Sequence, residues 1–211
     1  MSFKNKFKMS SLALATAMAM GSIAVPMTAS ADVGYGATVS SMYLWRGQDV
    51  SQGPEISGEI DYTHSSGFYA SAWASSGMTG DIAAGGGYEL DLWAGYAGEV
   101  SGLGYDISAW SIRYPQVKTN GTEYALGLTY MDFSLGYVDG EDNYSYTTLG
   151  YSYDKFSITY GMSDADGSKY SHVDLGFAAT DALSFTVSKA SDDSAGVAEE
   201  MLVVASYSLP I

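Results

Sequence analysis

From residue 35 to residue 209 the chain alternates apolar and polar residues with period two, and no stretch after residue 32 carries a capped apolar stripe of helical period. A period of two places successive side chains on opposite faces of a strand, so this pattern restricts the chain to an all-β fold. Twelve segments carry it: 35–46, 54–62, 68–75, 88–96, 105–114, 122–130, 133–138, 145–153, 156–161, 170–177, 183–189 and 200–209. One parity is apolar and aromatic, as in Tyr124/Leu126/Leu128/Tyr130, Phe133/Leu135/Tyr137 and Phe156/Ile158/Tyr160. The other is small or polar, as in Ser157/Thr159, His172/Asp174/Gly176 and Ser184/Thr186/Ser188.

The connections alternate between long and short. Long 47–53 precedes His64–Gly67, long 76–87 precedes a medium turn at 97–104, and long 115–121 precedes Met131-Asp132. Long 139–144 precedes Asp154-Lys155, long 162–169 precedes a turn at Thr180-Asp181, and long 190–199 leads into the last segment. Aromatic residues gather at segment ends, where the two membrane interfaces would be. Together these features predict a transmembrane antiparallel up-and-down β-barrel of about twelve strands, with ten as the alternative count. A soluble β-sandwich also alternates, but it requires neither this loop rhythm nor an export signal.

The export signal stands at the N-terminus. Lys4, Lys6 and Lys8 form a basic region, Ser11–Val25 is apolar and too short to span a bilayer, and Ala29-Ser30-Ala31 reads as a cleavage site. The expected organisation is therefore a signal peptide over 1–31 and one barrel domain over 32–211. Cleavage would remove three of the nine cations and none of the 24 acids, from a chain whose formal charge is already −15. Such a surface excludes nucleic acid as a partner. Cysteine is absent, so no disulfide or thiolate metal site supports the fold. The final stretch "MLVVASYSLPI" places Met201, Val203, Ala205, Tyr207, Leu209 and Ile211 on one face. It resembles the C-terminal signal by which outer-membrane proteins engage the barrel-assembly machinery, although it ends in Ile211 rather than an aromatic.

The segment "SMYLWRGQDVSQGP" opens the barrel. As a continuous first strand, 35–46 would turn Tyr43 and Trp45 toward lipid and Arg46 inward, just before the first long loop. The cues Tyr43, Arg46-Gly47, Ser51-Gln52, Gly53-Pro54, Asp61-Tyr62, Gly67-Phe68-Tyr69-Ala70, Trp73-Ala74-Ser75, Glu89-Leu90-Asp91, Gly95-Tyr96, Gly104-Tyr105-Asp106 and Tyr114-Pro115 follow one another through this half of the chain. In these the sequence resembles the TorF-like porin family of Gram-negative bacteria, densely over 38–130 and thinly afterwards. The resemblance implies an outer-membrane barrel and leaves the solute open.

The inward parity holds the chemistry. Glu55, Glu59, Asp61, Glu89, Asp91, Asp106 and Glu123 fall on it, and a lumen lined with like charge attracts cations. Arg46 and Arg113 are the bases available on the strands, too few to neutralise seven acids. Arg46 either offers a positive spot at the mouth or pairs with Glu55, Glu59 or Glu89; either role puts it inside, since an arginine facing lipid costs about 2–4 kcal/mol at mid-bilayer. Trp73, Trp93 and Trp110 share the parity of the acids. There they either hold ammonium groups through cation–π attraction or fill a narrow lumen. Asp164 and Asp166 resemble the start of a calcium loop without its closing glutamate, so they are weak metal candidates and acidic loop residues otherwise. His64 and His172 have no nucleophile or metal-ligand neighbour at useful spacing, so no enzyme and no cofactor is expected. The function expected is passive diffusion of small polar, cationic or zwitterionic solutes through an outer-membrane pore set in lipid and lipopolysaccharide. The alternative is a closed structural or adhesive barrel whose acidic loops do the work.

Overall fold

The computed structural model describes residues 31–51, 53–78, 87–116 and 119–211. The segment 1–31 expected to be a signal peptide, apart from Ala31, and the loop 79–86 lie outside the described residues.

Twelve antiparallel strands close into a barrel. They are β1 (Asp32–Ser40), β4 (Glu55–Thr63), β5 (Phe68–Met78), β6 (Gly87–Val100), β7 (Leu103–Tyr114), β8 (Thr119–Tyr130), β9 (Phe133–Gly140), β10 (Tyr144–Tyr153), β11 (Phe156–Ala165), β12 (Ser168–Ala178), β13 (Leu183–Asp192) and β14 (Met201–Ser208). Each strand pairs with its sequence neighbours. The barrel closes where β14 meets β1 over Thr38–Ser40, a three-residue seam extended by Leu209 N–H donating to the Ala37 carbonyl at 2.9 Å. A two-stranded hairpin, β2 (Leu44–Trp45) with β3 (Gln48–Asp49), forms a separate sheet.

The barrel is turned inside out relative to a soluble protein. Ile56, Ile60, Tyr124, Leu135, Leu149, Ile158, Leu175 and Val203 face outward and are exposed, while Glu55, Glu89, Asp91, Asp106 and His172 are buried inside. A continuous apolar exterior of this extent belongs in lipid. Tyr62, Phe68, Tyr96, Tyr130, Phe133, Tyr153 and Phe156 ring one end, at the short turns, as an interfacial belt would.

Two features differ from the sequence expectation. Several connections predicted to be long are tight turns. β9 and β10 are joined by residues 141–143, and β11 and β12 by Asp166-Gly167 alone. Asp142, Asn143, Asp166 and Gly167 all take positive φ, which short polar side chains and glycine tolerate and which two-residue hairpins require. The strands therefore run on beyond the apolar belt, with Asp139, Ser145 and Lys169 on their extensions. The medium turn at 97–104 shrinks in the same way to Ser101-Gly102.

The second difference concerns the first strand. It ends at Ser40, six residues early, and the chain then folds inward. Tyr43 does not face lipid: it is buried within the barrel, its ring 5.5 Å from Trp73. Trp45 goes with it, 6.1 Å from Tyr43.

Candidate functional site

The inward fold of 41–54 is written locally. Ser41 pins its start to β14, donating N–H to the Ala205 carbonyl and accepting the Ala205 N–H at its hydroxyl. Tyr43 and Val50 then face each other, with Val50 N–H donating to the Tyr43 carbonyl at 3.0 Å and Tyr43 N–H to Ser51 Oγ at 2.7 Å. Between them Arg46 (φ 48°) and Gly47 (φ 82°) make a two-residue turn of the mirror-image kind that right-twisted strands demand. An arginine in the left-handed region costs roughly 1–2 kcal/mol, and it is held there by its surroundings.

Those surroundings are dense. The Arg46 guanidinium meets Glu123 on β8 as a fork, Nη1 to Oε1 at 2.9 Å and Nη2 to Oε2 at 2.6 Å. Nη1 also donates to the Tyr144 hydroxyl. The guanidinium carbon sits 4.5 Å from the Trp45 ring, 5.1 Å from Tyr144 and 4.7 Å from Tyr146, all within cation–π range. The Tyr170 hydroxyl donates to the Arg46 carbonyl. Beside it Gly47 lies against His172: a methyl added there would stand 2.5 Å from His172 Cβ. His172 is itself fixed, Nε2 to the Tyr146 hydroxyl at 2.7 Å and Nδ1 to Asp174 at 3.0 Å, with Ser188 donating to the same carboxylate. The hairpin therefore reaches from the β1 wall to the β8–β12 wall and is latched there.

The seven acids all point inward, but they fall into different settings. Glu123 is the partner of Arg46, in place of the Glu55, Glu59 or Glu89 expected from sequence. Glu89 and Asp91 are buried under the hairpin, Glu89 accepting from the Tyr114 hydroxyl at 3.1 Å. Asp61 and Asp106 lie toward the short-turn end, Asp106 beside Tyr69 and Asp61 across from Ser71. Glu55 and Glu59 line open space: Glu55 accepts from Ser75 at 2.8 Å, and the Glu59 carboxylate lies over Gly36, whose missing side chain makes room for it. Arg113 faces outward at the loop end and bonds Ser111.

The three tryptophans also turn inward. Trp93 and Trp110 stack at 4.3 Å between ring centres, 8° from parallel. With Ala125 and Val138 they fill the β6–β9 side of the lumen. Trp73 lies under the hairpin. The free volume is thus displaced to the opposite side, where a cavity of about 110 Å³ runs between the hairpin and a wall rich in hydroxyls, Thr38, Ser57, Thr159, Thr186 and Ser206 among them. That exceeds several-fold the roughly 10–15 Å³ that one water needs.

Asp164 bonds Lys169 at 3.0 Å and accepts the Gly167 N–H, closing its turn, and Asp166 accepts from Asn143. No group of three potential metal ligands occurs among the described residues.

Tyr144, Tyr146, Tyr170 and His172 complete the latch, and the sequence reading assigned them no role there. Their signal is a large ring on a parity otherwise held by small residues. Tyr146 stands with Thr148, Gly150 and Ser152, and Gly161, paired with Thr148 and His172 on the flanking strands, leaves room for the Tyr146 hydroxyl and the His172 ring.

A family model described as "Bacterial protein of unknown function (Gcw_chp)" matches residues 21–192. The chain belongs to the Gcw_chp family. Among solved structures, this Gcw_chp barrel is similar to a KdgM porin in complex with disordered oligogalacturonate. The TM-score is 0.52 at 11% identity, covering 84% of this chain and 96% of that one. A triple mutant of the Rh. blastica porin aligns with TM-score 0.39 at 12% identity, over 84% of this chain and 98% of that one. No curated protein matches the sequence. At such identity the KdgM likeness speaks for the fold of the Gcw_chp barrel alone.

Proposed function

We propose that this Gcw_chp protein is a narrow outer-membrane diffusion channel of the TorF-like kind, passing small polar solutes and favouring cationic or zwitterionic ones. The observation that carries the reading is a cavity walled by hydroxyls and by Glu55, Glu59 and Asp174 inside a barrel whose exterior is apolar. A polar path through an apolar jacket serves solutes, and with the lining Arg46 already paired to Glu123 the remaining carboxylates set a sign preference. Movement needs no energy input and no chemical step. In this reading the signal segment delivers the chain to the envelope and the last strand engages the assembly machinery. Lipopolysaccharide then surrounds the loop end. The KdgM porin was captured with an oligogalacturonate. Such a polyanion is disfavoured here, because three carboxylates face the free space.

A second reading has its own observation. The latched hairpin and the Trp93–Trp110 block together fill much of the lumen, as a closed structural barrel would. Planar-bilayer recordings of the refolded mature protein separate the two. Discrete conductance with a cation-favouring reversal potential, reduced in the Glu55→Gln/Glu59→Gln variant, supports the channel. No conductance at high salt leaves the closed barrel, and an unchanged reversal potential in the double variant removes the charge preference.

A further inference from the structure

The cavity beneath the hairpin brings the acidic side chains Glu55 and Glu59 together with a buried N–H that has no acceptor. Arg46 is 4% exposed and spends its two terminal nitrogens on Glu123 and Tyr144, but its Nε–H is buried with no acceptor. Ser57, also 4% exposed, keeps its Oγ beside the Glu55 carboxylate but outside good hydrogen-bond geometry. Both residues line the cavity. So do Glu55 and Glu59, and so do the rings of Tyr43 and Trp73. A buried donor left unmade costs free energy that a bound partner recovers. Acceptors for a cation and donors for an anion thus share one small space, with aromatic rings that attract ammonium groups.

We propose that this cavity is a binding site for a compact zwitterion of the amino-acid type. Its ammonium group is taken by Glu55 and Glu59 beside Tyr43 and Trp73, and its carboxylate by Arg46 Nε and Ser57 Oγ. The proposal rests on the channel reading for solute access and adds to it a saturable site that a simple sieve lacks. A single charge of either sign satisfies half of the site, so neither half-ligand alone matches the whole. The small volume excludes oligomers.

Tryptophan fluorescence of the refolded barrel in detergent tests this, since Trp45 and Trp73 both line the cavity. The probes are glycine and its two halves, methylammonium and acetate. The expected result is a saturable emission change with glycine at millimolar concentration, with half-saturation at least tenfold higher for either half. That tenfold corresponds to about 1.4 kcal/mol. Glu59→Gln and, independently, Ser57→Ala raise the glycine half-saturation severalfold, and Glu59→Asp restores part of it. Three results overturn the proposal: no saturable change with glycine, equal responses to all three probes, or unchanged half-saturation in both variants. Saturation without bilayer conductance would sink the channel reading and keep the site. Conductance without saturation would do the reverse.

Discussion

Replacing Arg46 by alanine tests the latch. The substitution removes a two-pronged ion pair with Glu123, a bond to Tyr144 and three ring contacts, and leaves the Glu123 carboxylate facing a largely desolvated wall. Removing one member of a buried pair costs about 3–5 kcal/mol, because the other charge stays behind. The hairpin can escape that cost by undocking. The loss in global stability is therefore capped by the docking free energy, and any excess appears as a released hairpin. Release carries Tyr43 and Trp45 off Trp73 and toward water. Arg46→Ala should therefore lower the guanidinium midpoint of the refolded protein and red-shift its tryptophan emission. Arg46→Lys should fall between the two, since an ammonium cannot make the fork. Glu123→Gln alone strands Arg46 in the same way. The double variant Arg46→Ala/Glu123→Gln should lose much less than the sum, giving a coupling of roughly 1–3 kcal/mol. Additive single effects, or an Arg46→Ala protein with unchanged midpoint and emission, would refute the latch.

Other substitutions probe neighbouring parts. Gly47→Ala puts a methyl 2.5 Å from His172 at φ 82° and should undock the hairpin as Arg46→Ala does, while Gly53→Ala, which meets nothing within 4 Å, should leave emission unchanged. Gly95→Ala drives a methyl into the Tyr69 ring and the Ile107 carbonyl and should cost about 1–3 kcal/mol by overpacking, read as a lower midpoint with the emission maximum retained. Leu149→Arg, on the exposed outer face of β10, should cost about 2–4 kcal/mol in a bilayer, and far less in a micelle that adapts around the charge.

The barrel was legible because period two is enforced by two solvents at once. Every strand from Glu55 onward separates lipid-facing from inward residues, and a one-residue slip would put Glu89 or Asp91 into lipid. The inward direction of the seven acids and of Trp73, Trp93 and Trp110 follows from that parity. The hairpin was not legible for the same reason. Leu44 and Trp45 continue an alternation that begins in β1, so parity carries straight through the point at Ser41 where the chain leaves the wall. The available sign was the Arg46-Gly47 pair followed by Asp49 and Ser51, turn chemistry in the middle of a supposed strand. The choice of Glu123 over Glu55, Glu59 or Glu89 lay beyond sequence, because it depends on how far the hairpin reaches across the lumen. Loop lengths were overestimated where Asp166-Gly167 and Asp142-Asn143 turned in two or three residues.

The hairpin sets the bore, and its excision tests that most directly. Unitary conductance in planar bilayers is compared between the intact barrel and one in which residues 42–51 are replaced by a short Gly/Ser turn. The account predicts small or rare openings in the intact protein and a severalfold larger, steadily open conductance in the shortened one. Equal conductance in the two, in barrels shown to be folded, would contradict it.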